Sequence, residues 1–131
     1  MASIKVYPGD DIIKQLQQMA DIDNIAPKCI SAAAPVVKKA LKKNLKSHRK
    51  TGDMEKSITN TKPKKNKQGW YAKVYFSGED RKGVSNSLKA NIIENGKKGQ
   101  AAHPFVTKTK NDCQSDVSQA MQDKFNEVTG L

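Results

Sequence analysis

A chain of 131 residues with 36% hydrophobic content, three Phe, three Tyr and one Trp has one domain's length and a thin apolar core, which excludes a multidomain machine and makes stabilisation by a partner subunit a reasonable expectation. Its net charge of +11 is uneven: from Lys38 to Lys67 twelve Lys/Arg stand against Asp53 and Glu55, while from Asn111 to Leu131 one Lys stands against Asp112, Asp116, Asp123 and Glu127. A basic middle and an acidic end suit an anionic partner such as nucleic acid and equally suit head-to-tail contact between copies, whereas no basic start with an apolar run and no 18-residue apolar stretch points to a signal peptide or membrane span.

Residues 1–9 form a short lead with a candidate strand fragment at Ile4 to Tyr7. Asp10 is placed to cap a helix running to about Ala20, with Ile12, Ile13, Leu16 and Met19 as its apolar stripe. Asp23 or Asn24 caps a second helix, with Pro27 in its first turn. In that helix Ile30, Ala33, Ala34, Val37, Leu41 and Leu45 recur at helical spacing, and Lys38, Lys39, Lys42, Lys43 and Lys46 occupy the opposite arc. Pro35 removes one backbone hydrogen bond and predicts a bend, not a break.

His48 to Gly52 ends this helix, and Thr51 is placed to cap a single turn over Asp53 to Ser57. The pattern then changes to a period of two. Ile58 to Pro63 and Gly69 to Ser77 flank a Lys/Asn/Gln/Gly turn, and Trp70, Ala72, Val74 and Phe76 alternate with Tyr71, Lys73, Tyr75 and Ser77, which predicts a β-hairpin with one buried face. Gly78 to Ser87 reads as a polar loop and Leu88 to Glu94 as a third strand. Pro104 then pre-sets a last helix to about Val128, with Val106, Cys113, Val117, Ala120, Met121 and Val128 inward and Asp112, Asp116, Asp123 and Glu127 along one flank. The expected fold is α+β: a small antiparallel sheet, hairpin plus third strand, against a long kinked helix and a C-terminal helix, as a single domain over 1–131.

Candidate chemistry is sparse. The lysines of the second helix, continued by Arg49 and Lys50, form a surface that can release counterions from phosphates, although a solvated helix face explains them equally. Trp70, Tyr71 and Tyr75 can stack bases on an exposed sheet face, but a hairpin core accounts for them more simply. His48 and His103 have no Cys or acid at ligand spacing, so no metal and no cofactor are expected. Asp53 with Glu55, and Glu79 with Asp80, are sequence neighbours on turns and not paired acids of a cleft. The Gly96 to Gly99 loop lacks the phosphate-cradling G-x-x-x-x-G-K-[ST] order. Cys29 and Cys113 read as ordinary small apolar residues in helices. No enzyme is expected, and the chain should be made and kept in the cytosol.

The ordered set Thr51-Gly52, Met54, Ser57-Ile58, Glu94, Gly96 and Pro104-Phe105 resembles the tail-completion or head-tail joining family of long-tailed bacteriophages over about residues 25–128, with 1–24 as a helical lead. His48-Arg49-Lys50 replaces the Ala-Pro that often precedes Thr-Gly there, and Leu88-Lys89-Ala90 replaces an aromatic-Ala pair. The resemblance implies a structural protein of a phage or prophage, forming a ring at the head-tail junction or tail end. Its partners would be copies of itself and other head-connector or tail proteins, with non-specific contact to passing DNA and none to membrane. It further implies location in the virion, and in the host cytoplasm during assembly. Thr51 would cap the short turn, Gly52 supply an unusual backbone angle, and Glu94 and Gly96 fix the turn that brings Phe105 to the sheet. Glu94 would also be an intersubunit candidate. The acids Asp112, Asp116, Asp123 and Glu127 would face the basic region of the next copy. Two rival readings are a basic nucleic-acid-binding module and a small toxin-like or nuclease enzyme.

Overall fold

The computed structural model describes residues 3–19, 21–46 and 52–130. Thr51, with its expected cap, and His48, Arg49 and Lys50 lie outside the described residues. The chain runs β1 (Ser3–Val6), α1 (Asp10–Gln17), α2 (Ile22–Leu45), α3 (Asp53–Ser57), β2 (Ile58–Asn60), β3 (Lys64–Asn66), β4 (Gly69–Phe76), α4 (Asn86–Asn95) and α5 (Phe105–Thr129). It is α+β, with an antiparallel sheet against two long helices.

β4 is the centre of the sheet because it is the longest strand and has a partner on both edges. β1 pairs with one edge, setting Lys5 opposite Lys73 and Val6 opposite Ala72. β2 and β3 share the other edge as two pieces of one hairpin arm, with Ile58 opposite Phe76 and Lys64 opposite Tyr71. The two pieces differ by one residue in register. Asn60 opposes Val74 and Lys64 opposes Tyr71, so four steps along the arm match three along β4. The extra residue falls between Thr61, whose N–H still bonds the Lys73 carbonyl, and Lys64, a stretch that includes Pro63 with no N–H for the ladder, and the result is a bulge. A bulge reverses the faces beyond it. Lys64 therefore shares the outward face with Tyr71, and Lys65 turns inward toward the helices.

The inward face of the sheet carries Ile4, Val6, Ile58, Ala72, Val74 and Phe76, all buried. Against it lie α2 and α5, which pack along each other. Ile30, Ala33, Ala34, Val37, Leu41 and Leu45 are buried along α2, so the 3.6-residue period correctly marked the core stripe. On α5, Val106, Cys113 and Met121 are buried and Val117, Ala120 and Val128 half-buried, joined by Phe105, Thr109 and Phe125. Thr109 is tolerated there because its hydroxyl donates to the Phe105 carbonyl at 2.8 Å and accepts from Asn44 Nδ2 at 2.8 Å.

α2 is unbroken across Pro27 and Pro35. It begins earlier than expected, since Asp21, not Asp23 or Asn24, is the N-cap, its carbonyl accepting from the Asn24 and Ile25 N–H groups. Pro27 consequently sits in the second turn. The first helix is likewise capped at Gly9, not Asp10, and ends at Gln17. Asp10 and Asp11 instead fill its first turn, where negative charge complements the helix dipole.

The largest correction concerns residues 88–94, which form most of α4 and not a third strand. Ser85 accepts the Leu88 N–H at 3.2 Å, which starts a helix. Asn86, Ala90 and Ile93 then point inward at i, i+4 and i+7, whereas Leu88, which a strand would place beside Ala90, is 46% exposed. The third strand of the sheet is β1, the N-terminal fragment.

Candidate interaction surfaces

The motif residues cluster at two joints. At the first, Gly52 has φ of 83°, a left-handed conformation that admits the start of α3. Met54 packs on the core, and Ile58 is inside it. Ser57 Oγ donates to the Met54 carbonyl at 2.6 Å, while the Ser57 carbonyl accepts both the N–H and the hydroxyl of Ser77. This ties α3 to the far end of β4.

At the second joint Glu94 is on a helix, not at a strand end. One of its oxygens accepts the Val106 N–H at 2.6 Å and the other the Thr107 hydroxyl at 2.7 Å. A carboxylate on the first N–H groups of a helix satisfies orphan donors and complements the dipole, so Glu94 fastens α5 to α4 within one copy. Between them Gly96 has φ of 76° and ψ of 177°, and a Cβ there would lie 2.8 Å from the Ala102 nitrogen and 2.9 Å from the Gln100 oxygen. The turn returns through a His103 N–H bond to the Ile93 carbonyl. Pro104 is the N-cap of α5, and Phe105 meets Phe76 edge-on at 6.0 Å.

The charged surfaces are separate from these joints. On α2 and its C-cap, Lys39, Lys42, Lys43 and Lys46 are exposed, while Lys38 is half-buried and donates to Asn60 Oδ1 at 3.2 Å. On α5, Asp112, Asp116, Asp123 and Glu127 are all exposed along one flank. Glu127 pairs with Lys124 at 3.2 Å, Asp123 accepts from Gln119 at 2.8 Å, and Asn44 Nδ2 lies 3.4 Å from Asp112.

A third surface is the exposed sheet face, for which the hairpin core is the simpler expectation. Tyr71 and Tyr75 are not hairpin core but lie on the outward face of the sheet, together with Ser3, Lys5, Thr59, Lys64, Asn66 and Lys73. Trp70 does face inward, donating its Nε1–H to Asp23 Oδ1 at 3.0 Å, a carboxylate that Lys65 also binds at 3.1 Å. Those two bonds hold the Asp23 carboxyl below its ordinary range, the Trp70 bond contributing most. Tyr7 extends the outward face by stacking on Tyr71 at 5.6 Å. Strict alternation along β4 contained the signal. The odd positions are the outward ones.

Clefts elsewhere hold structural pairs. Asp53, Glu79, Asp80 and Arg81 line one beside β4, so acids expected to face solvent on separate turns do share a cleft. Asp53 grips Arg81 through both carboxylate oxygens, at 2.7 and 3.0 Å. Asp80 accepts from Lys89 Nζ at 2.7 Å and from the Val84 and Lys82 N–H groups, which holds its carboxyl down at about 2. Such an acid stays ionised and organises the loop of residues 78–85. A groove of about 440 Å³ between α1, the start of α2 and the hairpin is walled by Tyr7, Ile13, Leu16 and Trp70. Cys29 and Cys113 are free and buried, and burial pushes both thiols up, away from the reactive thiolate. Among the described residues no group of three or more His, Cys, Asp or Glu can hold a metal, and no helix is long and apolar enough to cross a membrane.

No curated protein and no solved structure matches the chain. A family model does, over residues 10–96, and its description is "Bacteriophage HK97-gp10, putative tail-component". The matched segment runs from the start of α1 to Gly96, containing the α2 stripe, both pieces of the hairpin and the Thr51 to Ile58 and Glu94 to Gly96 motifs. With about two thirds of its length so matched, the chain belongs to the bacteriophage HK97-gp10-like family of tail components.

Proposed function

We propose that this protein is a non-catalytic building block of the virion that assembles with copies of itself into a ring at the head-tail junction or tail end, joining the other connector and tail proteins there. The observation that carries this reading is the exposure of opposite charges on two different helices. The acids of α5 are exposed along one flank, with Glu127 sharing a cleft with Lys28 and Lys62, and Lys39, Lys42, Lys43 and Lys46 are exposed at the C-terminal end of α2. A surface that is not its own complement favours a heterologous contact, which closes into a ring when the rotation per subunit divides a full turn. The acidic flank of one copy would face the basic region of the next, leaving the remaining lysines toward the lumen and the DNA that passes it. Assembly, not chemistry, is then the work of the chain, first in the host cytoplasm and finally in the particle.

The test reverses charge at Asp112, Asp116 and Asp123 together, positions that are exposed and outside the core. Native mass spectrometry of the wild-type chain with its neighbouring tail proteins should show higher-order species, and the triple variant should not. Unchanged assembly would sink the proposed contact. Electron microscopy of particles lacking the protein should show heads and tails that fail to join.

A further inference from the structure

We propose that the outward face of the sheet binds the sugar-phosphate backbone of duplex DNA. Every strand residue on that face with a side chain ends in an ammonium, a hydroxyl or an amide, and none is a carboxylate. These are the side chains that contact phosphate and sugar oxygens without reading sequence.

The second observation is a repulsion built into the ladder. Lys5 and Lys73 are directly opposite each other on adjacent strands, a pairing of like charges that weakens a sheet. Among the described residues no carboxylate is within ion-pair distance of Lys5, Lys73 or Lys64, although the chain has 13 acidic residues. The two ammonium groups instead lean over Tyr71 and Tyr75, each 5.7 Å from a ring centre. A phosphate above the pair would convert one repulsion into two attractions. The bulge between Thr61 and Lys64 adds Lys64 to the same face, where an unbroken arm would have turned it toward the helices.

The ring geometry selects duplex over single strand. Tyr7 covers Tyr71, and lysines lie over Tyr71 and Tyr75, so stacked bases would have to displace these contacts. A phosphate backbone needs only the hydroxyl tips and ammonium groups. The inference stands without the ring, since one copy presents the whole surface.

The test measures fluorescence anisotropy of a short labelled duplex and its single strand against the full chain, over a range of salt. Lys5→Gln with Lys73→Gln is compared with Lys39→Gln with Lys42→Gln, which removes equal charge from α2. The wild-type should prefer the duplex. The sheet variant should lose at least about tenfold in affinity, and its salt slope should fall by about 1.8, the value for two lost phosphate contacts. The α2 variant should stay within about threefold. Lys64→Gln, at an exposed position on a short strand, serves as a second sheet variant and should lose about threefold even if the double variant melts early. The proposal is overturned by equal or larger loss in the α2 variant, by tighter binding of single strand, or by no duplex binding at low salt. It is also overturned if the sheet variants alter self-assembly while leaving DNA affinity unchanged, because a second copy is then the occupant.

Discussion

The two faces of β4 are made by alternate residues of one strand, yet they follow different rules. Ala72, Val74 and Phe76 are shut against α2 and α5, while Tyr71, Lys73 and Tyr75 remain half-exposed beside Lys5 and Lys64. The inward face is constrained by volume and tolerates no charge, since an unpaired ion there would lose its hydration. The outward face carries like charges side by side, which folding alone does not favour. A strand can therefore hold its stability and its recognition in separate registers, so that one can vary without the other.

The largest expected effect breaks the inward face. Phe76→Ala removes a ring that is 3% exposed and packs against Phe105, and should cost about 3 to 5 kcal/mol, with a fall in Tm of about 10 °C or more. Its outward neighbour Tyr75→Ser should cost under about 1 kcal/mol. Thermal melts of the two variants side by side test the contrast, and equal losses would abolish it.

Next come the residues that hold α5 over the inward face. Gly96→Ala forces a side chain into a backbone region nearly restricted to glycine and within 2.8 Å of the Ala102 nitrogen, so a loss of about 3 kcal/mol is expected in denaturant unfolding. Glu94→Gln keeps the shape but weakens the cap on Val106 and Thr107, and should cost about 1 kcal/mol. Hydrogen exchange in the first turn of α5 should rise in both, with the outward strands unchanged.

The smallest effect is a pH dependence. Asp80 is held at about 2 by Lys89 and the Val84 and Lys82 N–H groups, below the ordinary 3.8. A depressed carboxyl stabilises the folded state above its unfolded pKa, and that contribution disappears as pH falls from about 4 through 2. Asp80→Asn should flatten this part of the acid stability curve, read by urea midpoints at successive pH values. The loop joining β4 to α4 should loosen first, because Asp80 closes it.

Much of this was legible in the residues themselves. The 3.6-residue spacing of Ile30 through Leu45 marked the α2 core, and the alternation from Trp70 to Ser77 marked β4, because both depend only on which neighbours a regular backbone places on one side. Leu88 to Glu94 was misread because two adjacent isoleucines suit a strand as well as a helix. The Ser85 cap and the inward Asn86 and Ala90 decided for the helix.

The sequence by itself determined where the long helices and the hairpin lie, and that charge is divided between a basic middle and an acidic end, since local periodicity and composition need no distant contact. Only the tertiary structure decided that β1 completes the sheet, that Glu94 caps α5 and that Lys5, Lys64 and Lys73 share a face. Those facts join residues as far apart as 3 and 75, and depend on strand register and a single bulge. A shift of one residue in either would exchange the two faces, and no local pattern records it.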